Sequence, residues 1–174
     1  MTVPSVCLVV LDGWAIAPEG PGNAIANTGF AMLAALVSSL TYAHDHALVA
    51  FAAALVASGS DTVASEIGKA WGQRTYLLPT LRAVKPGTSG GISLEGTAAG
   101  IGGAALLATL AVVIGIVPAV ALMPIIVGAT IGSLAESVLG ATLEGPGILN
   151  NDMLNFINTV VAAYAAILLY RAVT

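Results

Sequence analysis

Four strings carry residues that could do chemistry, and all sit in or beside apolar runs. The first is Ser60-Asp61-Thr62-Val63-Ala64-Ser65-Glu66-Ile67-Gly68. On a helix, Asp61 and Ser65 share one stripe, and Thr62 and Glu66 share the next. Ionisable groups near hydrocarbon are costly enough to mark functional or ion sites. Carboxylate oxygens suit Mg²⁺, which keeps most of its waters and takes phosphate oxygens as further ligands. Asp61 and Glu66 are therefore the candidate metal ligands. The structural alternative is that they sit in headgroup-level water and pair with Lys69 or Arg74.

The second string is Lys85-Pro86-Gly87-Thr88-Ser89-Gly90-Gly91-Ile92-Ser93-Leu94-Glu95-Gly96-Thr97. It offers a cation, glycines that let backbone N–H groups approach an anion, hydroxyl donors, and then a helix start. Backbone nests and helix N-termini bind phosphate. The lysine precedes the glycines, so this is not a Walker A loop. A turn between two spans would favour the same Gly and Ser. In the third string, Ser133, Glu136, Ser137 and Gly140 fall at i, i+3, i+4 and i+7, with Gly128 and Gly132 extending the stripe as GxxxG. Helix packing accounts for its glycines and serines, whereas the Glu136 carboxylate needs a partner, Lys85 or a metal. In the fourth, Asn151, Asn155 and Asn158 share one helix face and could bond across helices or to a ligand. His44-Asp45-His46 has too few ligands for a metal site and reads as a solvated turn.

The composition defines what must position these groups. Of 174 residues, 57% are hydrophobic, 8% charged and 5% aromatic, with a mean hydropathy of +0.96. A soluble domain is roughly 25% charged; this chain is a membrane protein. One cysteine, Cys7, excludes an internal disulfide framework or a multi-thiolate zinc site. A net charge of −4 without a basic run argues against a nucleic-acid partner. Apolar segments at Ala24–Ala43, Ala47–Gly59, Leu94–Val117, Ala119–Leu143 and Met153–Tyr170 predict an all-α polytopic transmembrane bundle of about five spans over residues 24–174. All but the shorter Ala47–Gly59 are near the ~20 residues that cross a bilayer core. Lys69, Arg74, Arg82 and Lys85, four of the five bases, lie in loop 69–93, which the positive-inside rule places in the cytoplasm. Alternation then brings every polar cluster to that side. Residues 1–23 differ in kind: an apolar run at Val6–Leu11 and a Pro/Gly-rich stretch predict a single strand or irregular extension, not a secretory signal.

The four strings, completed by Asn155-Phe156-Ile157-Asn158-Thr159, resemble a family of polytopic membrane proteins that includes the phytyl-phosphate kinases of plants and cyanobacteria. The resemblance covers about Ala26–Val173. The order of acid string and Lys/Gly loop is similar, more distantly, to dolichol and phytol kinases, which use CTP. The resemblance implies phosphoryl transfer from a nucleoside triphosphate, CTP or another, to a membrane isoprenyl monophosphate. It implies Mg²⁺ on Asp61 and Glu66, and phosphates held by Lys85 with the Gly87, Gly90 and Gly91 backbone. Thr88 and Ser93 would donate hydrogen bonds, and Glu136, Asn155 and Asn158 would complete the metal or substrate shell. The isoprenyl chain would lie among the spans in membrane lipid; homo-oligomerisation is left open.

The front of the chain departs from that family, whose members generally carry further helices before the segment matching Ala24–Ala43. Cys7-Leu8-Val9-Val10-Leu11-Asp12-Gly13-Trp14 with Pro18–Ala24 resembles instead the start of a cofactor-independent phosphoglycerate mutase, in which Asp12 would be a metal ligand. The mutase's nucleophile domain and later Asp/His ligands have no counterpart here, so that activity is not expected. The chain reads as a fusion joined near Ala24–Thr28. The alternatives to a kinase are an inactive remnant, a lipid-binding protein, or a transporter relaying ions through Asp61, Glu66 and Glu136.

Overall fold

The computed structural model describes residues 22–40 and 44–174. Among them are five α-helices: α1 (Gly22–Leu40), α2 (His44–Trp71), α3 (Leu94–Val113), α4 (Leu122–Leu139) and α5 (Asn151–Val173). The expected strand at Val6–Leu11 and the mutase-like string lie outside the described residues. Four segments are long and apolar enough to cross a membrane, at 45–71, 94–113, 119–144 and 151–173. The first expected span is helical, and its described apolar stretch is the shorter Thr28–Ser38.

Two elements differ from the expectations. His44-Asp45-His46 is the first turn of α2 rather than a solvated turn: Asp45 is an acid in that first turn, where the helix dipole favours it. His46 stacks edge-on to Tyr170 with ring centroids 5.7 Å apart. Nor does α2 stop near Asp61. It continues ten residues to Trp71, and Ser60 and Thr62 satisfy their hydroxyls by donating to the carbonyls of Ala57 and Ser58. Loop 69–93 also holds a small antiparallel sheet, β1 (Thr75–Leu77), β2 (Arg82–Val84) and β3 (Gly91–Ser93), in the order β2-β1-β3. Thr75 stands opposite Val84 on one side and Ser93 on the other.

The bundle is held by small residues. Helix α2 touches every other helix; α3 packs mainly on α2, and α4 mainly on α5. The buried core is alanine-rich: Ala52, Ala53 and Ala57 from α2, Ala104 and Ala108 from α3, Ala129 from α4, and Ala162 and Ala166 from α5. In hydrocarbon there is little hydrophobic drive between helices, so close backbone approach supplies dispersion contact instead. Larger side chains such as Leu106, Val113, Met123, Val127 and Tyr164 point outward, where lipid can solvate them. A Schellman motif closes α3 away from the sheet: Ile116 N–H bonds Ala111 O, Gly115 N–H bonds Val112 O, and Gly115 takes the required left-handed φ of 78°. The sheet, the C-termini of α2 and α4, and the N-termini of α3 and α5 all meet at the other end.

A polar cavity at one end of the bundle

At that end α2, α3, α4 and the loop before α3 enclose a cavity of about 320 Å³. Asp61 faces it from α2, Gly87, Thr88, Gly90, Gly91 and Ser93 from the loop, and Glu136 from α4. The expected gathering of polar clusters at one end is thus realised in the packing.

The loop is shaped by successive turns. Lys85 O accepts from both the backbone N–H of Thr88 at 3.1 Å and its hydroxyl at 2.8 Å. Gly91 N–H then bonds Thr88 O at 2.9 Å. Gly87 and Gly90 adopt φ of 83° and 69°, a region that costs other residues roughly 1–2 kcal/mol. At Gly90 a Cβ would also overlap the backbone of Ser137 and Ala141, so the loop lies directly on the end of α4. Ser93 ends the loop as the N-cap of α3: its buried side chain accepts from Gly96 N–H at 3.1 Å, a preferred capping arrangement. Close packing of α3 on α2 depends on glycine. A Cβ at Gly96 would come within 2.7 Å of Ala64 O, and one at Gly100 within 2.9 Å of Ala64 Cβ.

Across the cavity, Ser133 Oγ on α4 donates to Asp61 Oδ1 at 3.1 Å. Glu136 Oε2 and Thr75 Oγ1 also belong to residues lining the cavity, and both are buried without a hydrogen-bond partner among the described residues. Unpaired buried acceptors and donors of this kind are uncommon and costly. Asp61, Glu144 and Asn158 lie near enough to act electrostatically on the Glu136 carboxyl. Beyond Leu139 the helix widens into a π-helical turn, Gly140–Glu144, a distortion often found at functional sites. It carries Glu144 to Ser89, whose hydroxyl donates to that carboxylate.

Four expected site residues do not line the cavity. Glu66 follows Asp61 by five residues, about 140° around a helix of 3.6 residues per turn. It pairs with Lys69 at 2.9 Å, and both side chains are more than half exposed, so the structural alternative describes Glu66. Lys85 is exposed, and Lys69 is the cation lining the cavity. Asn158 is 1% exposed and packs behind α4, with Oδ1 against Gly132. Asn155 is half-buried outside the lining. Conversely, Ser133, Ser137, Ser89, Thr75, Thr97, Glu144 and Asn151 line the cavity. Ser133 and Ser137 were visible as a stripe whose spacing fits packing equally well. Ser89 was visible only as a loop residue, and Glu144 was not singled out. Gly128 and Gly132 are packing residues as expected: a Cβ at Gly128 would meet Ala162 O at 2.6 Å, and one at Gly132 would meet Asn158 O at 2.7 Å.

Among the described residues, no group of three or more His, Cys, Asp or Glu side chains is gathered to hold a metal ion. Asp61, Glu136 and Glu144 supply hard oxygen donors along the cavity. That set fits Mg²⁺ arriving with phosphate and waters, which needs only one or two carboxylates, rather than a site made wholly by protein.

These features define a helical integral membrane protein with a polar cavity at one end of its bundle. Residues 17–163 match the family described as integral membrane protein DUF92, and the chain belongs to that family. It is 41% identical over 115 residues to protein VTE6, chloroplastic, of Arabidopsis thaliana, an alignment covering 64% of this chain and 34% of that protein. It is 33% identical over 149 residues to an uncharacterised membrane protein of Methanocaldococcus jannaschii, covering 85% of this chain and 61% of the other. A stretch of 22 residues is 82% identical to 2,3-bisphosphoglycerate-independent phosphoglycerate mutase of Thermomicrobium roseum, covering 13% of this chain and 4% of that enzyme. The chain thus spans about a third of the plant relative and three-fifths of the archaeal one. No solved structure matches it.

Proposed function

We propose that the cavity binds phosphate groups and, with Mg²⁺, supports transfer of the terminal phosphoryl group of a nucleoside triphosphate to an isoprenyl monophosphate in the membrane. The observation that carries this reading is that the Gly87–Gly91 loop, with two left-handed glycines, lines the same small cavity as the Asp61 and Glu136 carboxylates. Anion-binding backbone beside cation-binding oxygens suits a metal-carried phosphate.

The chemistry asks little more of the protein. A phosphate oxygen of the acceptor attacks the terminal phosphorus, the bond to the leaving nucleoside diphosphate breaks, and the acceptor becomes a diphosphate. The attacking oxygen is already an anion near neutral pH, so no base has to remove a proton. Among the described residues that line the cavity there is no His, Cys or Tyr. Phosphoryl transfer of this kind depends mainly on positioning and charge neutralisation. Asp61 and Glu136 would ligate Mg²⁺, and Lys69 would offset phosphate charge. The loop amides with Thr88 and Ser89 would hold the phosphates.

The test is Mg²⁺-dependent binding of CTP and ATP to the purified chain in lipid, beside Asp61→Asn. Saturable binding that is lost in the variant supports the reading, and isoprenyl monophosphates become the acceptors to assay. A folded, monodisperse chain that binds neither nucleotide sinks it, and a remnant without an assembled site takes its place.

A further inference from the structure

The cavity has two kinds of edge. At the end of the bundle its exposed lining residues are polar: Ser65, Lys69, Thr88, Ser89 and Asn151. On the side, two large apolar residues both line the cavity and reach the outer surface, Ile101 on α3 at 42% exposure and Leu134 on α4 at 37%. Ile101 lies one turn deeper than Thr97 along α3, whereas Leu134 lies one turn nearer the polar end than Thr130 along α4; both threonines line the cavity. By helical rise, Ile101 is about 10 Å into α3 and Leu134 about 8 Å from the end of α4. This places the side edge within the apolar part of the spans. The two helices belong to different closely packed pairs, α2 with α3 and α4 with α5. From Leu134 an outward apolar stripe continues along α4 through Val127, Ile131 and Val138.

From this continuity we infer that the gap between α3 and α4 at Ile101 and Leu134 is a lateral port for the chain of a single-chain isoprenyl phosphate. The inference rests on the phosphate-binding reading of the cavity. An amphiphile entering by the polar mouth would drag its chain through water, at a cost that grows with every CH₂ exposed. A port in the wall lets the phosphate enter the cavity while the chain stays in hydrocarbon. The nucleotide then has the polar mouth to itself, so two substrates of opposite solubility approach the same phosphates from different sides.

The experiment uses the full chain in lipid nanodiscs and measures binding of geranylgeranyl monophosphate, water-soluble dimethylallyl monophosphate and CTP. The variants are Ile101→Trp/Leu134→Trp, which fills the port, and Leu168→Trp and Leu106→Trp, which add the same bulk at exposed positions outside the cavity lining. The port predicts at least a tenfold loss of geranylgeranyl monophosphate binding in the double variant alone, with dimethylallyl monophosphate and CTP unchanged. Unchanged long-chain binding in the double variant overturns the port and leaves the phosphate site standing. Equal loss of all three ligands in a folded double variant also overturns it, because the substitutions then act on the cavity itself. If the native chain binds no phosphate compound, the underlying reading falls and the port with it.

Discussion

Ser133 and Asp61 are 72 positions apart in the chain, yet Ser133 Oγ on α4 donates a 3.1 Å hydrogen bond to Asp61 Oδ1 on α2. The contact ties one oxygen of the Asp61 carboxylate to the neighbouring helix. Hydrogen bonds to charged groups contribute about 1.5–3 kcal/mol. Ser133→Ala is therefore expected to weaken Mg²⁺-dependent nucleotide binding roughly tenfold, while Asp61→Asn abolishes it with the thermal transition retained. Glu66→Gln leaves both binding and stability nearly unchanged, because an exposed ion pair is worth about 0–1 kcal/mol. Titrating Mg²⁺ against the three variants separates these outcomes. A stronger effect from Glu66→Gln than from Asp61→Asn would reverse the assignment.

Gly90 tests the loop. Its left-handed backbone and its seat on Ser137 and Ala141 leave no room for a Cβ. Gly90→Ala should displace the loop from α4 and remove phosphate binding. Gly115→Ala is the control. Its φ is also left-handed, at 78°, but nothing lies within 4 Å, so it costs about 1–2 kcal/mol of stability without touching the cavity. Thermal unfolding and phosphate titration on both variants decide the matter; matching binding losses would show that strain alone explains the effect.

Ser89 and Glu144 hold the loop against the π-helical turn. Removing the donor in Ser89→Ala should free the loop locally while leaving the bundle intact. Amide hydrogen exchange at Gly90 and Gly91 is expected to speed up severalfold, with exchange in α2 and α5 unaltered. Unchanged protection at the two glycines would mean that the turns inside the loop hold it unaided.

Gly128 tests the small-residue packing of α4 on α5. A Cβ there would come within 2.6 Å of Ala162 O and 2.9 Å of Ala166 Cβ, and overpacking typically costs about 1–3 kcal/mol. Gly128→Ala should lower the thermal transition, and Gly128→Leu should lower it further. At Gly102, with nothing within 4 Å, Ala should be neutral or slightly stabilising, since glycine is the poorer helix former. Equal transitions at the two positions would contradict the packing.

Much of the architecture was present in the sequence because its physical causes are local. Low charge and long apolar runs require a membrane; runs near 20 residues require crossing helices, since only a helix satisfies its own backbone in hydrocarbon. Basic residues concentrated in one loop, with the other polar residues near matching span ends, gathered the polar clusters at one end. Gly87 and Gly90 announced a loop, and their left-handed backbone is seen only in the structure. Helix length was less legible. Asp61 looked like the end of a span, but the helix runs on past it to Trp71. The little sheet of loop 69–93 was missed because its strands are three residues each, too short for any periodicity to register.

Which polar residues meet was decided by tertiary structure alone. Asp61 and Glu66 belong to one string and look like a pair, yet about 140° of helical rotation sends one into the cavity and the other to Lys69 on the surface. Ser133, Ser137, Ser89 and Glu144 come from three different places in the chain and converge with Asp61. A sequence lists side chains by position along one axis, which fixes composition, span and the spacing of faces. The partner across a helix interface depends on how two helices are rotated and where their glycines let them approach, and that is settled only when the bundle packs.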